Sequence, residues 1–121
     1  MARVLVVDDS PTDVLNLRKM LEKHGHQVSE ALTGQDAIGL VAEQKPDVVV
    51  MDVVMPGLNG FQATRTLSKN PDTAGIPVIV VSSKGQETDK LWAKRQGARE
   101  YIVKPVKEPE LINKIEAVLK G

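Results

Sequence analysis

The runs "VLVV" at 4–7, "VVVM" at 48–51 and "VIVV" at 78–81 constrain this chain more than anything else in it. Each has the length of a strand, and none alternates apolar with polar residues. A strand with one face in water alternates; one covered on both faces reads as a continuous branched aliphatic run. The runs therefore predict a parallel sheet between two layers of helix. Trp, Tyr and Phe occur once each, so the core has to be built from Val, Leu, Ile and Ala.

The rest of the chain alternates in the same way. Strands are predicted over Val4–Asp8, Gln27–Ala31, Val48–Asp52, Val78–Ser82 and Tyr101–Val103, with helices over Pro11–His24, Gln35–Glu43, Gly60–Lys69, Glu87–Gln96 and Pro109–Lys120. In the first helix Ser10 is the N-cap, Pro11 the first helical residue, Asp13 a first-turn acid and Gly25 the stop. In the last, Leu111, Ile112, Ile115, Val118 and Leu119 recur on one face. Trp92, beside Leu91, is expected to pack half-buried, and the charges around Lys94 to Arg99 to form a solvated helix end. Five strands alternating with five helices give an α/β, doubly wound architecture with right-handed crossovers. At 121 residues there is room for one domain, residues 1–121, and no linker or repeat divides it.

Composition removes several classes of function. Lys plus Arg and Asp plus Glu number 16 each, and no basic stripe stands out, which argues against nucleic acid as a partner. The absence of cysteine excludes disulfides, thiolate metal sites and thiol nucleophiles. No apolar run is long enough for a membrane span or a signal peptide, so a cytoplasmic protein without membrane insertion is expected. His24 and His26 flank a helix-stop glycine with no further ligand at a suitable spacing, a poor basis for a metal site.

Sites in open α/β sheets form beyond the carboxyl ends of the strands, near a topological switch point. Asp8 and Asp9 close the first predicted strand, Asp52 the third and Ser82 the fourth, while Lys104 follows the fifth. Separate elements would thus bring three carboxylates, a hydroxyl and an ammonium to one edge. Three carboxylates in one cleft repel unless a cation joins them or some take up protons. Oxygen ligands alone point to a hard ion, and Mg²⁺ uses one or two carboxylates, keeps waters and accepts phosphate oxygens. With Lys104 as a second cation, the set suits a phosphoryl group and a carboxylate nucleophile. Asp52 is the best acceptor, since the neighbouring Asp8 and Asp9 can share the metal.

"VLVVDDS", "DVVVMDVVMPGLNG", "PVIVVSS" and "GAREYIVKPV" together resemble the receiver domain of bacterial two-component response regulators, from Arg3 to Leu119. The resemblance implies a flavodoxin-like sheet of order 2-1-3-4-5 and a phosphoryl group received on Asp52 from a phosphohistidine of a histidine kinase. It implies Mg²⁺ held by Asp9, Asp52 and the backbone carbonyl of Val54, with Asp8 acting through water. Lys104 would contact the phosphoryl oxygens, and Ser82 would swing in to bind one of them. Tyr101 would rotate inward as Ser82 moves, and the Lys104–Pro105 peptide would be cis. Val54 and Lys84 depart from the polar or acidic residues that many receivers carry at those places. Further likeness in "LEKHGHQV", "MPGLNGFQATR" and "ETDKLWAKRQGA" points to single-domain regulators of type IV pilus twitching motility. The expected protein is a monomeric switch or phosphate sink with no output domain, read by a downstream protein, and not an enzyme in the ordinary sense.

Two other classes compete. A hydrolase of the haloacid-dehalogenase kind carries its nucleophile on the first strand and another acid two positions later, where this chain has Ser10. A phosphorylation-independent interaction module on the same fold would have no need of the full set Asp8, Asp9, Asp52, Ser82 and Lys104.

Overall fold

The computed structural model describes residues 1–120. Its elements alternate throughout: β1 (Arg3–Val7), α1 (Pro11–Lys23), β2 (Gln27–Ala31), α2 (Gly34–Gln44), β3 (Val48–Asp52), α3 (Gly60–Lys69), β4 (Val78–Ser82), α4 (Glu87–Arg95), β5 (Glu100–Val103) and α5 (Glu108–Lys120). The strands form one parallel sheet of order β2-β1-β3-β4-β5. The order reverses between β1 and β3, which places the switch point between the two strands that end on the aspartates.

The continuous aliphatic runs are buried on both faces, as their lack of alternation requires. Leu5, Val7, Val49, Met51, Val78 and Val80 face α2, α3 and α4, where they meet Ala37, Val41, Ala63, Leu67 and Ala93. Val4, Val6, Val48, Val50, Ile79 and Val81 face the other way, against Val14, Leu17 and Leu21 of α1 and Leu111, Ile115 and Val118 of α5. Each fully buried aliphatic side chain contributes about 1.5–3 kcal/mol relative to exposure.

Local signals fix where the helices start. The Ser10 hydroxyl accepts from Asp13 N at 3.3 Å, and Thr33 Oγ1 accepts from Asp36 N at 3.1 Å. At α3, Asn59 and Gln62 each accept from the other's backbone N–H at 2.9 Å, a reciprocal capping box. Caps of this kind are worth about 1 kcal/mol each. Gly25, at φ 85°, follows the C-cap of α1 in the left-handed conformation that ends helices.

The structure moves some boundaries and exposes one side chain expected to be covered. β1 ends at Val7, so Asp8 lies one residue beyond it, although its N–H still donates to Ala31 O at 3.1 Å. Leu119 shares the side of Ile112, which is buried, yet is itself exposed in the last turn of α5. Trp92 is 49% exposed and Leu91 is exposed beside it; α4 buries only Ala93, so a short side chain seats it and its bulky ones point away. Lys94, Arg95 and Arg99 are exposed, as expected of a solvated helix end, although Gln96 and Ala98 between them are buried. Both histidines have protein partners. His24 Nε2 lies 3.0 Å from Glu108 Oε2, and His26 Nδ1 accepts from Ala2 N at 3.1 Å.

The two edges of the sheet share a feature. On β2, Glu30 pairs with Arg18 of α1 at 2.6 Å; on β5, Glu100 pairs with Lys114 of α5 at 2.9 Å. No helix among the described residues is long and apolar enough to cross a membrane.

Candidate functional site

Every residue predicted for the site from strand ends reaches the carboxyl edge of the sheet. Asp8 and Asp9 follow β1, Asp52 is the last residue of β3 and Ser82 of β4, and Lys104 follows β5. Parallel pairing makes this unavoidable, because it aligns all the strand ends; Val7 lies opposite Met51, and Asp52 opposite Val81.

Asp8, Asp9 and Asp52 each offer a carboxylate oxygen, and these oxygens all lie within 4.8 Å of one another. Asp8 and Asp52 are buried while Asp9 is exposed, so the cluster has a closed floor and an open mouth. Burial pushes the carboxyl pKa of Asp8 above its ordinary value, against the lowering effects of the Ser10 N–H and the Lys104 charge. Burial likewise raises that of Asp52; Lys104 opposes the rise and the Asp8 charge adds to it. Ionising both groups is thus costly with Lys104 as the one nearby cation among the described residues. All the ligands offered are oxygens, the chemistry that hard divalent ions such as Mg²⁺ select.

Lys104 Nζ sits among three carboxylates, 3.0 Å from Asp52 Oδ1, 3.1 Å from Asp13 Oδ2 and 3.3 Å from Asp8 Oδ2. Burial works against its charge, but the hydrogen bonds and charges of these partners outweigh it and hold the ammonium pKa well above that of an ordinary lysine. The Lys104–Pro105 peptide is cis. Asp13 was legible in the sequence only as a first-turn acid of α1, and its bond to Lys104 could not be read there. It arises because residues 104–106 run alongside α1, where Lys104, Pro105 and Val106 share a groove with Asp13, Leu17 and Met20.

The remaining expected positions lie around this centre. Ser82 is buried, and its Oγ accepts from Lys84 N at 3.1 Å. Tyr101 is buried as well, its hydroxyl donating to Lys84 O at 2.6 Å. The ring therefore already packs inward, tied to the same loop that Ser82 contacts. Val54 is exposed in the loop after β3.

Gly60, expected only as the first residue of a helix, is also a positioning element. A Cβ built on it would fall 2.0 Å from Asp52 O, and its N–H donates to Val53 O at 2.9 Å. The first turn of α3 therefore presses directly on the backbone that carries Asp52, at a separation only glycine permits.

Comparison with known proteins agrees with this geometry. Residues 4–116 match the response regulator receiver domain family. The chain is 62% identical over 121 residues to Protein PilH of Pseudomonas aeruginosa, covering 100% of both. It is 32% identical over 118 residues to the phosphate regulon transcriptional regulatory protein PhoB of Rhizobium meliloti, spanning 98% of this chain and 52% of that longer relative. Among solved structures, the receiver domain of the sensor histidine kinase PA1611 from Pseudomonas aeruginosa has a magnesium ion coordinated in its active site cleft. It matches with a TM-score of 0.91 at 25% identity, over 99% of this chain and 98% of that one. A five-stranded sheet of order 2-1-3-4-5, an acidic cluster at its switch point and a family match along nearly the whole sequence converge on one assignment: the chain belongs to the response regulator receiver domains of two-component systems.

Proposed function

We propose that Asp52 accepts a phosphoryl group from a phosphohistidine of a partner histidine kinase, and that the protein passes the signal on through its altered surface. The observation that carries this reading is the convergence of three carboxylates within 4.8 Å beside the Lys104 ammonium. A carboxylate oxygen of Asp52 bonds to phosphorus as the P–N bond to the imidazole breaks, and the leaving imidazole takes up a proton. Asp9, Asp52 and the Val54 carbonyl would hold Mg²⁺, with Asp8 acting through water. When bound, the ion supplies charge neutralisation for the phosphoryl oxygens. Phosphoryl transfer asks the protein for positioning and electrostatic stabilisation, and here the Lys104 ammonium, 3.0 Å from Asp52 Oδ1, is placed to provide both.

Phosphorylation adds three acceptor oxygens at Asp52. Ser82, whose Oγ accepts from Lys84 N, keeps its own O–H donor, and a phosphoryl oxygen at Asp52 gives that donor an acceptor it has only in the modified state. Tyr101 donates to the carbonyl of the same Lys84, so a shift of Ser82 is passed to the ring and to the surface formed by α4, β5 and α5. A contact available in only one state is what biases a two-state equilibrium. The full-length likeness to PilH supports a place in a chemotaxis-like system governing type IV pilus twitching motility, with the cytoplasm as the site of action.

The test is the intact mass after incubation with a small acyl phosphate, with and without Mg²⁺, for the native protein and Asp52→Asn. A metal-dependent gain of one phosphoryl group, lost in the variant, is expected. An equal gain in Asp52→Asn overturns the acceptor assignment, and no gain with any donor overturns the phosphorylation reading.

A further inference from the structure

An ammonium group carries three N–H donors, and those of Lys104 face three carboxylates. Asp8 and Asp52 belong to the acidic cluster, whose third member is Asp9. Asp13 is outside it: it comes from the first turn of α1, and its Oδ2 accepts a hydrogen bond from Lys104 Nζ at 3.1 Å. A first-turn acid already has a favourable place near the helix N-terminus without reaching for any side chain. Its contact with Lys104 therefore needs an explanation of its own.

We propose that Asp13 is a positioning residue that restrains Lys104 in the unphosphorylated protein and competes with the incoming phosphoryl group for its ammonium. The inference rests on the reading of Asp52 as the acceptor. A phosphoryl group on Asp52 meets an ammonium hydrogen-bonded to Asp8 and Asp13 and paired with Asp52 itself at 3.0 Å. The ammonium's hold on Asp52 passes to the phosphoryl oxygens, and to follow them outward it has to loosen its bond to one of the other two. Asp8 is 2% exposed, and without Lys104 it would keep only the Ser10 N–H, at 2.9 Å, among the described residues. Leaving a buried carboxylate short of partners is costly. The Asp13 side chain is 43% exposed and borders a groove of about 420 Å³, so water replaces Lys104 there easily. Asp13 is accordingly the partner that lets go, and its hold acts as a modest brake on phosphoryl acceptance. A partly exposed ion pair of this kind corresponds to roughly a two- to fivefold effect on the rate.

The test compares the native protein with Asp13→Asn and Asp13→Glu, each with Lys104 intact and with Lys104→Ala. One readout is the rate of phosphoryl gain from a small acyl phosphate in saturating Mg²⁺, followed by intact mass. The other is the side-chain ¹⁵N relaxation of the Lys104 ammonium in ¹⁵N-lysine-labelled protein without metal or donor. Asp13→Asn is expected to raise the rate by about two- to fivefold and to loosen the ammonium, while Asp13→Glu stays close to the native values. In the Lys104→Ala background Asp13→Asn is expected to change nothing. An unaltered or slower rate in Asp13→Asn overturns the competition, as does an equal gain without Lys104, which would mark a general charge effect. An ammonium equally ordered in both proteins overturns the restraint. Should the native protein take up no phosphoryl group, the acceptor reading and the competition both fail, and the relaxation data still decide whether Asp13 holds Lys104.

Discussion

The substitutions Gly60→Ala and Gly39→Ala place the same methyl group in two helices and move stability in opposite directions. At Gly60 the new Cβ would stand 2.0 Å from Asp52 O, 2.8 Å from Asp52 C and 2.9 Å from Val53 Cα, all of them backbone atoms. Comfortable contacts between carbon atoms begin near 3.5 Å, so the end of β3 and the start of α3 must separate by about 1 Å or more. Forcing extra volume into a packed site costs about 1–3 kcal/mol, and the helix propensity of alanine returns less than about 1 kcal/mol. The net loss is about 1–2 kcal/mol. Gly39 lies inside α2, is exposed, and has nothing within 4 Å of its would-be Cβ. There only propensity operates, and alanine stabilises by about 0.5–1 kcal/mol. Urea unfolding followed by circular dichroism reads both effects. With a slope of about 1–3 kcal/mol/M, Gly60→Ala lowers the midpoint by up to about 2 M, and Gly39→Ala raises it. A Gly60→Ala protein as stable as the native one would show that helix propensity, not the close approach to Asp52, governs that position. Because the displacement falls on the backbone of Asp52, the same variant also loses phosphoryl uptake.

Three further outcomes follow from the site. Burial holds the carboxyl pKa values of Asp8 and Asp52 above the ordinary 3.8, so their contribution to stability is full below that value and is lost as pH rises through the raised ones. Asp52→Asn therefore raises the urea midpoint of the metal-free protein at pH 7, a gain that shrinks toward pH 4, while Lys104 keeps Asp8 and Asp13 as partners; no gain at pH 7 would contradict the burial argument. Mg²⁺ at a hundred times its Kd stabilises the native protein by about 2.7 kcal/mol, measurable as a shift in thermal midpoint, and Asp52→Asn loses most of that shift. Trp92, half-exposed on α4, reports on that helix by fluorescence, so an emission that stays flat at saturating phosphorylation would count against its movement.

Most of the fold was legible in the sequence because burial on both faces writes itself into the strands. Val48 to Met51 could not be mistaken for a strand with a wet face, and parallel pairing then fixed which strand ends share an edge. Asp8, Asp9, Asp52, Ser82 and Lys104 followed from that placement alone. What stayed hidden depends on distances that no periodicity encodes. Asp13 meets Lys104 only because the chain after β5 runs alongside α1, and nothing in "SPTD" announces a partner some ninety residues away. Gly60 read only as the first residue of a predicted helix, since its role is a separation between two backbones. Trp92 stands half-exposed, as expected, but that the small Ala93 makes the close contact of α4 with the core could not be read beforehand.

The paired glutamates at the two borders of the sheet bear on how this protein meets others. A sheet border bearing unpaired N–H and C=O groups invites another chain to add a strand, and charged side chains are among the devices that blunt this invitation. Glu30, tied to Arg18, and Glu100, tied to Lys114, stand at opposite borders, each neutralised by a basic residue from the helix alongside. An arriving strand would have to strip water from those charges or break the pairs. The strands are also only four or five residues long, which leaves little ladder to gain. Growth by strand addition is thus discouraged on both sides, which leaves helix faces and the rim of loops as the surfaces open to a partner.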